Sequence, residues 1–354
     1  MPYSIAPLNR SRVFVGDCSA LVNEIIEGTR RQNLTSLLAA LHQGVVRLYI
    51  PRHVLDELVR HIPEEAQSRR RPVDPLMALE RWEILYAPYV RVVDVPREWA
   101  RQDERVRAVD VRHSTDTPFA QLAAVIGQCW ALTEDPDLVA NGFGDRDRLP
   151  LLLAAANEGE ISYVERVVAV PTVIGAMTLS ATGRNFMRLP VWAQFGLVAA
   201  SGFLVYPWHH DGRLAGRLRQ LFGKVIDLAR LAAPPLMTMH TRRTGGEPIW
   251  EDHIVEPASM LTLNEQVASV LARAPEGGLL ARDIANHLDE PTPLSRLVPT
   301  VRETLVGCSA FVEVSRGRWM LGHALSDEPA AISAEMVVDW LWRAHRSDPV
   351  LAVR

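Results

Sequence analysis

Short apolar runs alternate with longer amphipathic stretches over the first 145 or so residues of this chain. Residues 11–17 contain the run Val13-Phe14-Val15 and predict a buried strand. Residues 19–27 and 33–43 carry apolar positions at helical spacing, and the second stretch ends near Gly44, a residue suited to a helix stop. Residues 45–50 predict the next strand. Pro51 then opens a helix, because a missing N–H is harmless in a first turn. Arg69-Arg70-Arg71-Pro72 breaks the pattern as an exposed turn. Residues 74–86 predict a helix, 90–95 a strand, 116–127 a helix with Ala and Leu on one face, and 130–133 a short strand. This alternation argues for an α/β fold, with a parallel sheet flanked by helices.

The pattern then changes. Two apolar stretches, 167–181 and 191–207, are separated by a polar loop. A membrane-spanning helix needs roughly 20 apolar residues. Pro171, Gln194 and several glycines interrupt these stretches, and arginines stand on both sides of the loop. A buried helical pair is therefore favoured, with membrane contact through 167–207 as the alternative. Residues 212–231 form an amphipathic stretch with Arg213, Arg217, Arg219, Lys224 and Arg230, which reads as a solvated face. Residues 234–248 read as a linker. Helices are then expected over 263–273, 281–287 and 294–306, and strands over 311–315 and 318–321 about the turn Arg316-Gly317. A last helix over 333–345 carries Trp340 and Trp342. Four regions result: 1–150, a helical 151–250 that includes the linker, 251–323 and 324–354.

Composition narrows the function. The chain has 354 residues and a formal net charge of -4, so it has no basic coat, and nucleic-acid binding would need local patches. Lys224 is the one lysine among 38 basic residues, a bias spread along the whole chain that fits a GC-rich genome. Cys18, Cys129 and Cys308 are scattered and odd in number, without disulfide or zinc spacing, which suits a reducing cytoplasm. The first residues lack a charged segment followed by an apolar core, so no signal peptide is expected. No glycine-rich phosphate loop or dinucleotide signature is present. His209-His210 reads as a polar helix boundary, and His240 and His253 have no ligand-like spacing.

Four acidic residues carry the chemistry. Asp17 ends the first apolar run, Glu57 lies in the helix after Pro51, Asp116 opens Asp116-Thr117-Pro118-Phe119, and Asp135 follows Leu132-Thr133-Glu134. Open α/β sheets bind ligands beyond the carboxyl ends of their strands. Carboxylates gathered there repel one another unless a divalent cation joins them, and Mg²⁺ or Mn²⁺ prefers such oxygen ligands. Each residue also has a plain structural reading. Asp17 and Asp116 would cap helices, Asp135 would sit in a turn before Pro136, and Glu57 would be exposed beside Asp56.

This order resembles the PIN-domain family of ribonucleases over about residues 11–145. The match comprises Asp17-Cys18-Ser19, Glu57 in an early helix, Asp116-Thr117-Pro118-Phe119, and the run from Leu132 to Leu138. Pro136 stands where lysine is common in the family, and the Arg-rich connection from Pro63 to His113 is long. The resemblance implies a Mg²⁺- or Mn²⁺-dependent endoribonuclease acting on RNA, with DNA as a further substrate. Asp17, Asp116 and Asp135 would be metal ligands, and Glu57 a fourth catalytic carboxylate. Ser19, Thr133 and Asp137 would support them. Toxin-like or defence roles, an antitoxin-like protein partner and homo-oligomers follow from the same analogy.

Residues 259–323 resemble a winged helix-turn-helix, with Phe311 and Trp319 anchoring the wing. The resemblance implies nucleic-acid contact through Arg296, Arg302, Arg316 and Arg318, diluted by Glu303 and Glu313. The rival readings are a non-catalytic winged-helix regulator and a membrane-associated interaction protein.

Overall fold

The computed structural model describes residues 11–145, 151–152, 154–155, 158, 250–288 and 290–325. The expected helical pair 167–207, the stretch 212–231, His209, His210, His240, the linker 234–248 and the helix 333–345 lie outside the described residues. Among the described residues, no helix is long and apolar enough to cross a membrane. The chain divides into two compact units, one of Met1–Ala156 with Ile249–Arg354 and one of Asn157–Pro248.

The first unit is built on a six-stranded sheet. β1 (Arg12–Gly16) pairs in parallel with β2 (Val46–Pro51) on one side and with β4 (Cys129–Leu132) on the other. β3 (Val90–Val93) continues the sheet in parallel beyond β2. These strands are buried on both faces, which explains their near-continuous apolar sequences. The expectation of a wholly parallel sheet needs correction. Two-residue antiparallel strands, β5 (Ile254–Val255) on β4 and β9 (His323–Ala324) on β3, close both edges and make the sheet mixed, in the order β5-β4-β1-β2-β3-β9. Unpaired edges are templates for wrong pairing, and these short strands cover them.

Helices flank the sheet. α1 (Cys18–Arg31) and α2 (Ser36–His42) join β1 to β2, and α3 (Arg52–Ser68) follows Pro51 as expected. The helix expected over 74–86 is α4 (Pro75–Arg81), continued by a π-helical turn at Trp82–Tyr86 and a 3-10 turn at Ala87–Tyr89. α5 (Glu104–Arg112) lies in the Arg-rich connection, where no helix was legible. It buries only Val106 and Val109, and Asp103 caps it by accepting the Arg105 N–H at 2.9 Å. α6 (Thr117–Ile126) is buried from Phe119 to Ile126, and the short α7 (Pro136–Ala140) follows β4.

The C-terminal part of this unit contains α8 (Leu263–Ala272), β6 (Leu279–Leu280), α9 (Ala281–His287), α10 (Leu294–Gly307) and the hairpin β7 (Phe311–Ser315) with β8 (Arg318–Leu321). β6, β8 and β7 form a second, three-stranded sheet. The tight turn places Gly317 at φ 74°, in the left-handed region that glycine tolerates.

These elements share one core with the first sheet. Val13, Val15, Tyr49, Phe119 and Leu122 belong to the same buried cluster as Val255, Val267, Leu271, Val301 and Phe311. Polar contacts seal the join. Ser269 Oγ donates to the Ile126 carbonyl at 2.9 Å, and Arg273 donates to the carbonyls of Ile126, Gly127 and Gln128. The last carbonyl of α6, that of Ile126, and the two that follow it thus gain partners and a favourable positive charge. The Tyr49 hydroxyl donates to the Ala272 carbonyl at 3.0 Å, and Arg47 to that of Ala274. Glu265, 3 % exposed, accepts N–H bonds from Ala100 at 2.5 Å and Thr262 at 2.6 Å. At Gly127, φ 54°, a Cβ would stand 2.4 Å from Pro257 Cβ, so glycine is required where the two parts meet.

A chain ending at Ala156 should therefore fail to fold cooperatively. Each large apolar side chain in the join contributes about 1.5–3 kcal/mol, so losing Val255, Val267, Leu271, Leu305 and Phe311 removes most of an ordinary domain's roughly 5–15 kcal/mol. Circular dichroism melting reads this directly. A sharp transition matching that of the full chain would contradict the shared core.

Candidate functional site

The strand order reverses at β1. The chain runs outward through β2 and β3, then returns to place β4 on the other side of β1. A crevice opens at such a switch point, beyond the carboxyl ends of the two adjacent strands. Asp17 directly follows β1, and Asp135 lies in the turn after β4. The Asp17 N–H donates to the Leu132 carbonyl at 2.9 Å, which ties the two strand ends together.

A cleft of about 390 Å³ opens there, and all four sequence-selected carboxylates, Asp17, Glu57, Asp116 and Asp135, line it. Ser19 lines it too, with Cys18, Val22, Asn23, His61, Glu65 and Arg69. Asp17 is 9 % exposed and held by three bonds. Oδ1 accepts the Cys18 N–H at 2.7 Å, and Oδ2 accepts the Ser19 hydroxyl at 2.7 Å and the Thr133 hydroxyl at 3.1 Å. Thr133 Oγ1 also accepts the Asp135 N–H at 3.0 Å. One hydroxyl thus serves both strand ends, which gives the Thr-x-Asp spacing its physical content. Asp135 caps α7, its Oδ1 accepting the N–H groups of Asp137 at 2.7 Å and Leu138 at 3.1 Å. For Asp17 and Asp135 the capping reading and the cleft reading hold together.

Asp116 differs. It precedes α6 but its side chain makes no capping bond, and among the described residues its carboxylate's hydrogen bond is from the Thr115 hydroxyl at 3.5 Å. Its carboxyl is pushed up to about 6, first by burial and then by Asp17 and Asp135, with Glu57 adding to the effect and His113 opposing it. Glu57 is half-buried on α3, whereas its neighbour Asp56 is exposed. Cys18 is pushed up to about 12 by burial and by Asp17 and Glu57, so its thiol stays protonated and is no nucleophile. Burial lowers the His53 pKa, against the nearby carboxylates Glu57, Asp17 and Asp56, which raise it.

Compared with family models, curated proteins and solved structures, the chain matches none.

The donor set suits a hard divalent cation, since five carboxylates, Glu65 among them, line the cleft, and Asp116 is driven toward protonation by burial and by its carboxylate neighbours. As placed, no three His, Cys, Asp or Glu side chains among the described residues stand close enough to surround one ion. Asp116, lacking a capping bond, is held less than Asp17 and Asp135.

Asp137 falls outside this cleft. It pairs with Arg112 at 2.7 Å and lies 3.1 Å from His113, so it anchors the end of α5. The sequence reading missed Asn23, His61, Glu65 and Arg69. A signal was present, because Glu57, His61 and Glu65 recur every four residues along one face of α3, and Arg69 continues that spacing just past its end. Arg296, Arg302, Arg316 and Arg318 are all exposed on α10 and the hairpin, away from the residues lining the cleft. Arg318 donates to the Gly278 carbonyl at 3.0 Å.

Thr133 is 1 % exposed, so Thr133→Val should leave the Asp135 N–H without its acceptor and cost about 1–3 kcal/mol. Gly144, at φ 130°, lies where a Cβ would stand 2.7 Å from Thr133 Cγ2, so Gly144→Ala should disturb the same hydroxyl. Urea unfolding of both variants measures this. Wild-type stability in Thr133→Val would contradict the bridging role.

Proposed function

We propose that this protein is a PIN-type endoribonuclease that hydrolyses RNA phosphodiester bonds with Mg²⁺ or Mn²⁺. The observation that carries this reading is the raised Asp116 carboxyl in a cleft shared with Asp17, Glu57 and Asp135 at the sheet's switch point. Asp17, Asp116 and Asp135 would hold the cation. A bound divalent ion lowers the pKa of its water and neutralises the scissile phosphate.

The chain's own groups supply orientation. Ser19 and Thr133 fix Asp17 Oδ2, so this carboxylate needs little reordering to bind. The α7 N–H groups occupy Asp135 Oδ1. Glu57, on the α3 wall, would position the attacking water or join the ligands. The exposed Arg296, Arg302 and Arg316 belong to a helix-helix-helix-hairpin order that supports the winged-helix reading, in which this surface recruits nucleic acid. The preference for RNA, a cytoplasmic setting and an antitoxin-like partner rest on the family resemblance.

Cleavage of a mixed RNA pool tests the reading. Products should form with Mn²⁺, vanish with EDTA, and vanish in Asp116→Asn, which removes charge and keeps shape. Wild-type cleavage in that variant would rule out the role given to Asp116.

The charge state gives a second test. Asp116 has a folded pKa of about 6 against an ordinary 3.8. A raised folded pKa means that protonation favours the folded form. The contribution is full below the unfolded value and is lost as pH rises through about 6. Cation-free Asp116→Asn should therefore melt above wild type at about pH 7.5, with the gap closing toward about pH 5. Mn²⁺ should raise the Tm of wild type and leave the variant's nearly unchanged. Equal melting of the two cation-free proteins across that range would contradict the crowding of charge.

A further inference from the structure

The four carboxylates would repel an approaching polyanion, so a nucleic-acid cleft of this kind needs a fixed positive charge. Among the described residues lining the cleft, Arg69 is the one with a permanent cation. It opens the Arg69-Arg70-Arg71 run, yet Arg70 and Arg71 are exposed while Arg69 is half-buried, its side chain 28 % exposed. Arg69 is the residue just after α3, in extended backbone at φ -72° and ψ 152°.

Its guanidinium is held in place. Nη2 donates to Asn23 Oδ1 on α1, and Nε lies 3.5 Å from Glu65. Asn23 Nδ2 in turn donates to Glu134, the neighbour of Asp135. A chain of side chains thus fixes Arg69 relative to the β4 carboxylate. A guanidinium carries five N–H donors in a planar fork, and these two contacts leave the Nη1 pair for a phosphate.

We propose that Arg69 grips the phosphate of a nucleotide next to the scissile one, so that Arg69 sets how the strand lies across the carboxylates. This rests on the nuclease reading above. A bare structural strut would need the charge only to neutralise Glu65.

Binding separates these roles. The full chain is titrated with a fluorescein-labelled, mixed-sequence, single-stranded RNA in Ca²⁺ at several salt concentrations. Arg69→Ala should weaken binding about tenfold, as expected for a lost charge-assisted contact. The slope of log affinity against log salt should shrink by about 0.7, the share of one phosphate on a single strand. Arg69→Lys keeps the point charge and should restore the slope with intermediate affinity. Asn23→Ala, which frees the guanidinium, should weaken binding without changing the slope. Unchanged affinity and slope in Arg69→Ala, with a lowered Tm, would make Arg69 a strut and overturn the proposal while leaving the nuclease reading intact. RNA binding with the expected slope change but no cleavage by wild type would sustain Arg69's role and sink the nuclease reading. No RNA binding by wild type would overturn both.

Discussion

Burial of several carboxylates in one cleft is the constraint on which the candidate site turns. Asp17, Glu57, Asp116 and Asp135 share that cleft, and the cost shows in Asp116, whose carboxyl is driven up to about 6, first by burial and then by its carboxylate neighbours. Asp17 and Asp135 are held in place by hydrogen bonds. The Thr133 hydroxyl donates a hydrogen bond to Asp17 and accepts one from the Asp135 N–H, so one buried hydroxyl fixes the ends of β1 and β4 together. Asp116 has the Thr115 hydroxyl at 3.5 Å but no capping bond, and its burial beside these carboxylates appears as a raised pKa. In the proposed function that cost is what a cation relieves, because ion binding and ionisation of Asp116 favour each other.

The scaffold keeps these groups in place from a distance. Asp116 stands at the start of α6, and the other end of α6 is fastened by Ser269 and Arg273 of the C-terminal part. Edge strands β5 and β9 close the parallel sheet on both sides. The exposed arginines of α10 therefore belong to the same packed body as the cleft. In the proposed reading, a strand held by those arginines would meet the carboxylates in a fixed geometry.

Long apolar runs and proline signals were legible in the sequence. β1, β2, β4 and α6 appear close to their expected bounds and α3 begins where expected, because burial on both faces leaves continuous apolar residues and Pro51 and Pro118 mark helix starts. The four carboxylates were legible as a set because strand ends and helix starts define where a switch-point crevice opens. Other features carry too little local signal. β5 and β9 are two residues each, and pairing across more than a hundred positions leaves no periodicity to read. α5 hides behind charged residues because only two of its side chains are buried. Arg69 looked like part of a solvated turn, since its own tripeptide does not set it apart from Arg70 and Arg71, and only the four-residue spacing from Glu57 along α3 points to it. Asp137, chosen as a supporting carboxylate from its spacing alone, is taken by Arg112 and His113.

Calorimetric titration of Mn²⁺ into the full chain, in two buffers of different ionisation heat, tests the central claim most directly. If the cleft gathers a cation about a carboxylate that titrates near 6, binding should release a fraction of a proton at about pH 6, release almost none at about pH 8, and tighten between the two. The heats in the two buffers should then differ near pH 6 and agree near pH 8. Binding with no proton release at either pH, or no saturable binding at all, would contradict the account.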